Sequence, residues 1–156
     1  MRRIIKSLFF LLVCSCLAAC TDTAIVDDYE SILRQRWSYD KPVKIEVEIT
    51  DISKAYNVYI NLRHTEDYAY SNIWLKTSVL GADKKKQDQR TEFTLAKPDG
   101  TWLGRGSGSL YSYRLILKEN YRFSKAGKYV FVIEQNMRDN PLDAITDVGL
   151  RVEPAE

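Results

Sequence analysis

Side chains that could carry out chemistry are sparse in these 156 residues, and their spacing excludes most reaction classes. His64 is the only histidine. A catalytic triad would have to use it, with Asp67 three residues away, and the chain has no G-x-S-x-G elbow to present a serine. The spacing therefore makes His64 a loop histidine. With one histidine and few thiols, a zinc or Cys-His site lacks its ligands. Gly104-Arg105-Gly106-Ser107-Gly108 has the glycine content of a phosphate loop but not the lysine ending, and no helix follows. A strand-edge bulge, or a place where another backbone comes close, fits it better. The carboxylates are scattered and form no evident glycosidase pair. The chain is expected to be no enzyme, with no metal or cofactor.

One thiol has a clear chemical role. Arg2, Arg3 and Lys6 precede the apolar run Leu8–Val13, and Leu17-Ala18-Ala19-Cys20 follows. A basic start, a short apolar segment and a small-residue cleavage site make an export signal. The run is far short of the roughly 20 apolar residues that span a bilayer. The Leu-Ala-Ala-Cys string is similar to a bacterial lipobox, in which cleavage before the cysteine frees it for acylation. Residues 1–19 would then be removed, Cys20 would carry the lipid, and residues 20–29 would form a polar tether to a folded domain over residues 30–156. Each buried acyl CH₂ contributes ~0.8 kcal/mol, so multiple chains on Cys20 would anchor the protein firmly in a membrane. Thr21 stands where an inner-membrane retention signal would have Asp, which points to the outer membrane. The sparse acids Asp22, Asp27 and Asp28 favour its periplasmic face over the cell surface. Cys14 and Cys16 would leave with the signal, so the domain would have no disulfide.

Losing Arg2, Arg3 and Lys6 leaves twenty basic residues against twenty-one acidic. The near-neutral balance gives no reason to expect nucleic acid as a partner.

Ten tyrosines and three tryptophans are the remaining resource. The densest group is Tyr68-Ala69-Tyr70-Ser71-Asn72-Ile73-Trp74, where a loop enters a strand. With Arg63 and Asp67 it mixes aromatic, charged and amide groups, the composition of an interface hot spot. Gln135, Met137 and Arg138 leave another strand in a similar way. Two binding modes stay open. One is a protein-binding surface built from Arg63, Asp67, Tyr68, Tyr70, Asn72, Trp74, Gln135, Met137 and Arg138. The other is a carbohydrate platform of Tyr68, Tyr70 and Trp74 or Trp102. Against both stands a purely structural role, with Arg63 paired to Asp67 and the rings in the core.

The elements that must position these groups are strands. Val43, Ile45, Val47 and Ile49 alternate with Lys44, Glu46 and Glu48, as a strand with one wet face should. Tyr56, Val58, Ile60 and Leu62 repeat the pattern. Ile73–Leu80 is apolar on both faces, as a more central strand would be. The polar stretch 81–90, with Lys84-Lys85-Lys86 at its tip, is expected to be a loop. Thr91, Phe93 and Leu95 form a strand that turns at Pro98-Asp99-Gly100 into Thr101-Trp102-Leu103. Further strands are expected at Tyr111–Lys118, Tyr129–Glu134 and Val148–Val152. Tyr29–Trp37 suits a strand or irregular lead-in. Tyr129, following a glycine turn, could act as a tyrosine corner, its hydroxyl bonded to upstream backbone. Seven or eight short strands without a convincing long helix make a single all-β domain. Its architecture would be an antiparallel β-sandwich, immunoglobulin-like or jelly-roll-like.

Four stretches resemble the gliding-motility lipoprotein GldH family of the Bacteroidota. They are Asn61-Leu62-Arg63 with Asp67-Tyr68-Ala69-Tyr70-Ser71-Asn72-Ile73-Trp74, and Asp99-Gly100-Thr101-Trp102-Leu103-Gly104-Arg105-Gly106. Gly127-Lys128-Tyr129-Val130-Phe131-Val132-Ile133-Glu134-Gln135-Asn136-Met137-Arg138 and Asp147-Val148-Gly149-Leu150-Arg151-Val152-Glu153 follow. Ala69 stands where the family often has Pro. The resemblance implies an accessory lipoprotein of the gliding apparatus, tied to type IX secretion. It would act on other envelope proteins without catalysis.

Overall fold

The computed structural model describes residues 23–156 apart from Asp83. The expected signal peptide and Cys20 lie outside the described residues. The chain forms β1 (Val26–Ser31), a 3-10 turn (Leu33–Gln35), β2 (Arg36–Trp37), β3 (Val43–Ile49), β4 (Tyr56–Thr65) and β5 (Asn72–Leu80). β6 (Lys86–Thr94), β7 (Arg105–Ser107), β8 (Leu110–Tyr121), β9 (Gly127–Gln135), β10 (Leu142–Asp143) and β11 (Ile145–Pro154) complete it. One sheet has the order β1-β11-β4-β8-β7, the other β3-β9-β5-β6, and β10 and β2 form a small pair.

Setting aside the short pieces β2, β7 and β10 leaves eight strands. The first pairs with the last (β1·β11), the second with the seventh (β3·β9), the third with the sixth (β4·β8) and the fourth with the fifth (β5·β6), all antiparallel. This is one long hairpin rolled into two layers, the connectivity of a jelly roll. It resolves the choice left open between immunoglobulin-like and jelly-roll-like sandwiches.

Alternation decides which face of each strand enters the core. β3 buries Val43, Ile45, Val47 and Ile49 and exposes the charges between them. β4 buries Val58, Ile60 and Leu62, which join Val148, Leu150 and Val152 of β11 and Ile73, Leu75, Phe131 and Ile133 of the opposite layer in one cluster. β5 is paired on both sides, as its continuous apolar run implied.

Three expectations are corrected. First, the stretch expected to end the tether is strand, because β1 pairs with β11 from Val26 onward. Its polar sequence hides this. β1 is an edge strand, and Asp27 is held by Arg151 Nη1 at 2.6 Å and by Asn61 Nδ2 at 2.7 Å instead of by apolar packing. Second, Lys86–Arg90 is not loop but the first half of β6, an edge strand exposed on both faces there. Third, His64 is not in a loop. It continues the even-numbered face of β4 and is fully buried.

Two local readings hold. Gly100 takes φ +86° and its N–H donates to the Lys97 carbonyl at 2.9 Å, closing the turn that bridges Ala96 to Trp102. A Cβ on Gly104 would lie 3.0 Å from the Ser112 carbonyl oxygen and 2.6 Å from the Tyr113 ring, so the glycine there serves a close approach of another strand.

Candidate functional site

The two suspected segments meet. Tyr70 and Trp74, at the entry to β5, share a cleft of about 490 Å³ with Met137 and Arg138, which follow β9; Arg90 of β6, Asn136 and Asp139 complete the lining. The Arg90 guanidinium lies over the Trp74 ring, 3.8 Å from its centroid, and its Nε donates to Asn136 Oδ1 at 2.5 Å. The Asn136 N–H in turn donates to the Trp74 carbonyl at 2.8 Å. The Trp74 N–H faces Met137 Sδ at 3.2 Å. The Tyr70 hydroxyl donates to the Asp139 carboxylate, and that bond raises the phenol's pKa above its ordinary value. Stacking and hydrogen bonds therefore fix both walls of the cleft.

The other suspected residues lie elsewhere or have other roles. Gln135 is 2% exposed. Its Oε1 accepts from the Met137 N–H at 2.8 Å and its Nε2 donates to the Asp139 carbonyl at 2.9 Å, so it shapes the 136–139 loop from below. Tyr68 is also buried, with its hydroxyl donating to the Asn72 carbonyl at 3.0 Å, and burial drives its pKa well up. Asn72 donates through Nδ2 to Glu92 Oε1 at 2.5 Å. Asp67 is exposed on the turn after β4. Arg63 points from the outer face of the five-stranded sheet, its guanidinium 4.2 Å from the Tyr29 ring centroid. Its acidic neighbour is Asp147, at 4.0 Å, not Asp67.

The carbohydrate platform does not form. Tyr68 and Trp102 pack with Tyr111 and Tyr113 around His64 at centroid distances of 4.5–5.7 Å. His64 Nδ1 sits 2.7 Å from the Thr65 carbonyl and Nε2 3.1 Å from the Tyr113 hydroxyl. These rings form a second, aromatic layer of core, not an exposed row.

The family model described as GldH lipoprotein matches residues 24–152. The chain belongs to the GldH lipoprotein family. It is 35% identical to a gliding motility lipoprotein GldH homolog of Christiangramia forsetii, covering all of this chain and 99% of that one. It is 31% identical to the gliding motility lipoprotein GldH of Flavobacterium johnsoniae, over 97% of this chain and 98% of the relative. Among solved structures, a carbohydrate-binding module specific for non-crystalline cellulose aligns with a TM-score of 0.47 at 6% identity, over 89% of this chain and 96% of the module.

In this GldH chain, the cleft residues outside the candidate set are Arg90, Asn136 and Asp139. Arg90 lies in a polar stretch whose sequence suits a loop. Its alternation begins to show only at Thr91 and Phe93, because the strand before them is wet on both faces. Asp139 lies one residue beyond the segment singled out. No His, Cys, Asp or Glu cluster that could hold a metal occurs among the described residues. The cleft offers a tryptophan–arginine stack, a thioether and the exposed guanidinium of Arg138. That set suits recognition of another surface.

Proposed function

We propose that this chain is a lipid-anchored, non-catalytic accessory or assembly factor of the gliding-motility and type IX secretion machinery. It works through protein–protein contacts. The lipid on Cys20 fixes it to the outer membrane, with the domain on the periplasmic face. Family membership and the names of its relatives support the setting. The observation that carries the binding role is the meeting of Tyr70 and Trp74 with Met137 and Arg138 in one cleft. Tryptophan and arginine are the residue types that most often dominate interface energies. Because the walls are already held by Gln135 and by the Arg90–Asn136 bond, little side-chain entropy is lost when a partner docks.

A photoreactive side chain placed at Arg138 of the full-length lipoprotein tests this in cells. Glu119, exposed on β8, serves as the control position. The expected result is a discrete adduct from position 138 with a component of the gliding or secretion apparatus, weak or absent from position 119. Equal labelling from both positions, or labelling only of abundant unrelated envelope proteins, would contradict the proposal.

A further inference from the structure

We propose that the outer face of the five-stranded sheet carries a second site, for a saccharide bearing an anionic group. Strand register sets Arg114 (β8), Asn61 (β4), Gly149 (β11) and Tyr29 (β1) in one row across four strands. The neighbouring row begins with Arg105 (β7) beside Ser112 (β8). A cleft of about 400 Å³ opens here, its side-chain lining coming chiefly from Tyr29, Asn61, Leu103, Arg105, Ser112 and Arg114. That size lies within the usual range for small-ligand sites. It shares no lining residue with the Trp74 cleft.

The lining holds two guanidinium groups and no carboxylate. The nearby acids are committed elsewhere. Asp27 accepts from Arg151 at 2.6 Å and from Asn61 at 2.7 Å, leaving Arg114 Nη2 at a long 3.9 Å. Asp147 accepts from the Ser31 hydroxyl at 2.9 Å and has Arg63 at 4.0 Å. Arg105 is exposed and makes no ion pair among the described residues. Arg105 therefore faces the cleft without a counter-ion among the described residues, and Arg114 with only a distant one.

Asn61 adds the second requirement. It is fully buried, and its Nδ2 is used by Asp27. Its Oδ1 has no donor among the described residues. Flipping the amide would set two acceptor oxygens together, so the orphan is not an assignment error. Buried polar atoms are seldom left without a partner. The oxygen is covered in this structure, so a hydroxyl-bearing ligand supplies the partner as the side chains over it give way.

Leu103, 51% exposed, and the Tyr29 ring provide apolar walls. Together these features ask for an anion, hydroxyl donors and a C–H face in one small molecule. An inorganic anion leaves Asn61 and Leu103 without partners. A neutral sugar leaves the Arg105 guanidinium without one. An acidic sugar ring, with carboxylate or phosphate, satisfies all three, and charge-assisted bonds to arginine give it the larger share of the affinity.

Calorimetric titration of the full-length lipoprotein in detergent with galacturonic acid, galactose 6-phosphate, galactose and inorganic phosphate tests the site. At least one acidic sugar is expected to bind saturably and about tenfold tighter than galactose or phosphate, as expected when charge-assisted bonds are added. Which acid binds better identifies the anionic group. Arg105→Gln, a change at an exposed residue, is expected to weaken that binding about fivefold or more with an unchanged melting temperature, whereas Arg138→Ala leaves it intact. Absence of saturable binding by both acids, equal binding of galactose or phosphate, or indifference to Arg105→Gln would overturn the proposal.

Discussion

Replacing Tyr129 with Phe removes one oxygen from an otherwise undisturbed end of the sandwich. Tyr129 begins the buried face of β9 directly after the Gly127 turn, and it is 4% exposed. Its hydroxyl donates to the Lys125 carbonyl at 2.7 Å and receives the Lys125 N–H at 3.3 Å. It therefore ties the turn to the strand that follows, the role a tyrosine corner plays in immunoglobulin sandwiches, here in a jelly roll. The phenyl ring would remain against Phe123, whose centroid lies 4.6 Å away. Only the hydrogen bonds are lost. The donated bond has good geometry and contributes ~1 kcal/mol; the longer one adds less, and the Lys125 groups left behind can turn to water. The expected loss is ~1–1.5 kcal/mol by the usual net value of such bonds, a fall of roughly 3–7 °C in melting temperature for a domain of this size. Urea denaturation of wild type, Tyr129→Phe and Tyr121→Phe measures it. Tyr121 touches the same Phe123 ring at 4.9 Å, but its hydroxyl makes no hydrogen bond among the described residues. Its variant should stay within ~0.5 kcal/mol of wild type, because the half-buried ring keeps its packing and no hydrogen bond is lost. Equal midpoints for Tyr129→Phe and wild type, or equal losses in the two variants, would refute the corner.

Three further outcomes are expected. Burial holds the His64 pKa below its ordinary 6.5, against a smaller opposing effect of its hydrogen bond to the Thr65 carbonyl. The unfolded chain therefore binds the proton first. Stability is full above about pH 6.5 and falls as pH drops through that value toward the folded-state pKa, by at most ~1.4 kcal/mol per unit. Melting curves between pH 7.5 and 5 check the sign, and a His64→Gln variant should lose this part of the slope; unchanged or rising stability in acid would exclude it. Gly149→Ala would place a Cβ 2.0 Å from the Asp28 carbonyl oxygen, so β1 must shift. The cost should be ~1–3 kcal/mol, with faster amide exchange concentrated in residues 26–31. Cys20→Ser should release the protein from the membrane fraction, and an intact, unacylated Cys20 in the wild-type protein would refute lipid anchoring.

The period-two strands were legible because each has one dry and one wet face. Val43–Ile49 and Tyr56–Leu62 write that difference directly into residue type. His64 was not legible, although it takes the next even position after Leu62: its polarity masked a place that neighbouring rings make habitable. β1 and the start of β6 were not legible. Edge strands bury little, so Val26–Ser31 is held by the Asp27–Arg151 pair and Lys86–Arg90 by backbone pairing to β5. In the cleft, Trp74 and Met137 were visible as candidates. Their meeting was not, because it depends on β5 and β9 being neighbours in the sheet and on Gln135 folding the loop after β9. Tyr68, chosen with Tyr70 and Trp74 for its ring, differs from them only in facing inward.

The Trp74 cleft as a partner site is tested most directly by comparing Arg138→Ala with Tyr68→Ala for capture from crosslinked cells and for denaturation midpoint. Arg138 is exposed, so its truncation should leave the midpoint within ~0.5 kcal/mol of wild type, as surface changes usually do. Capture of the gliding or secretion component should fall severalfold, since truncating a hot-spot arginine typically costs ~1–2 kcal/mol or more. Tyr68→Ala, which empties a buried aromatic position, should lower the midpoint by ~3 kcal/mol or more, and binding should fall only with the folded fraction. Undiminished capture by Arg138→Ala, or a loss that merely follows its stability, would contradict a binding role for the cleft.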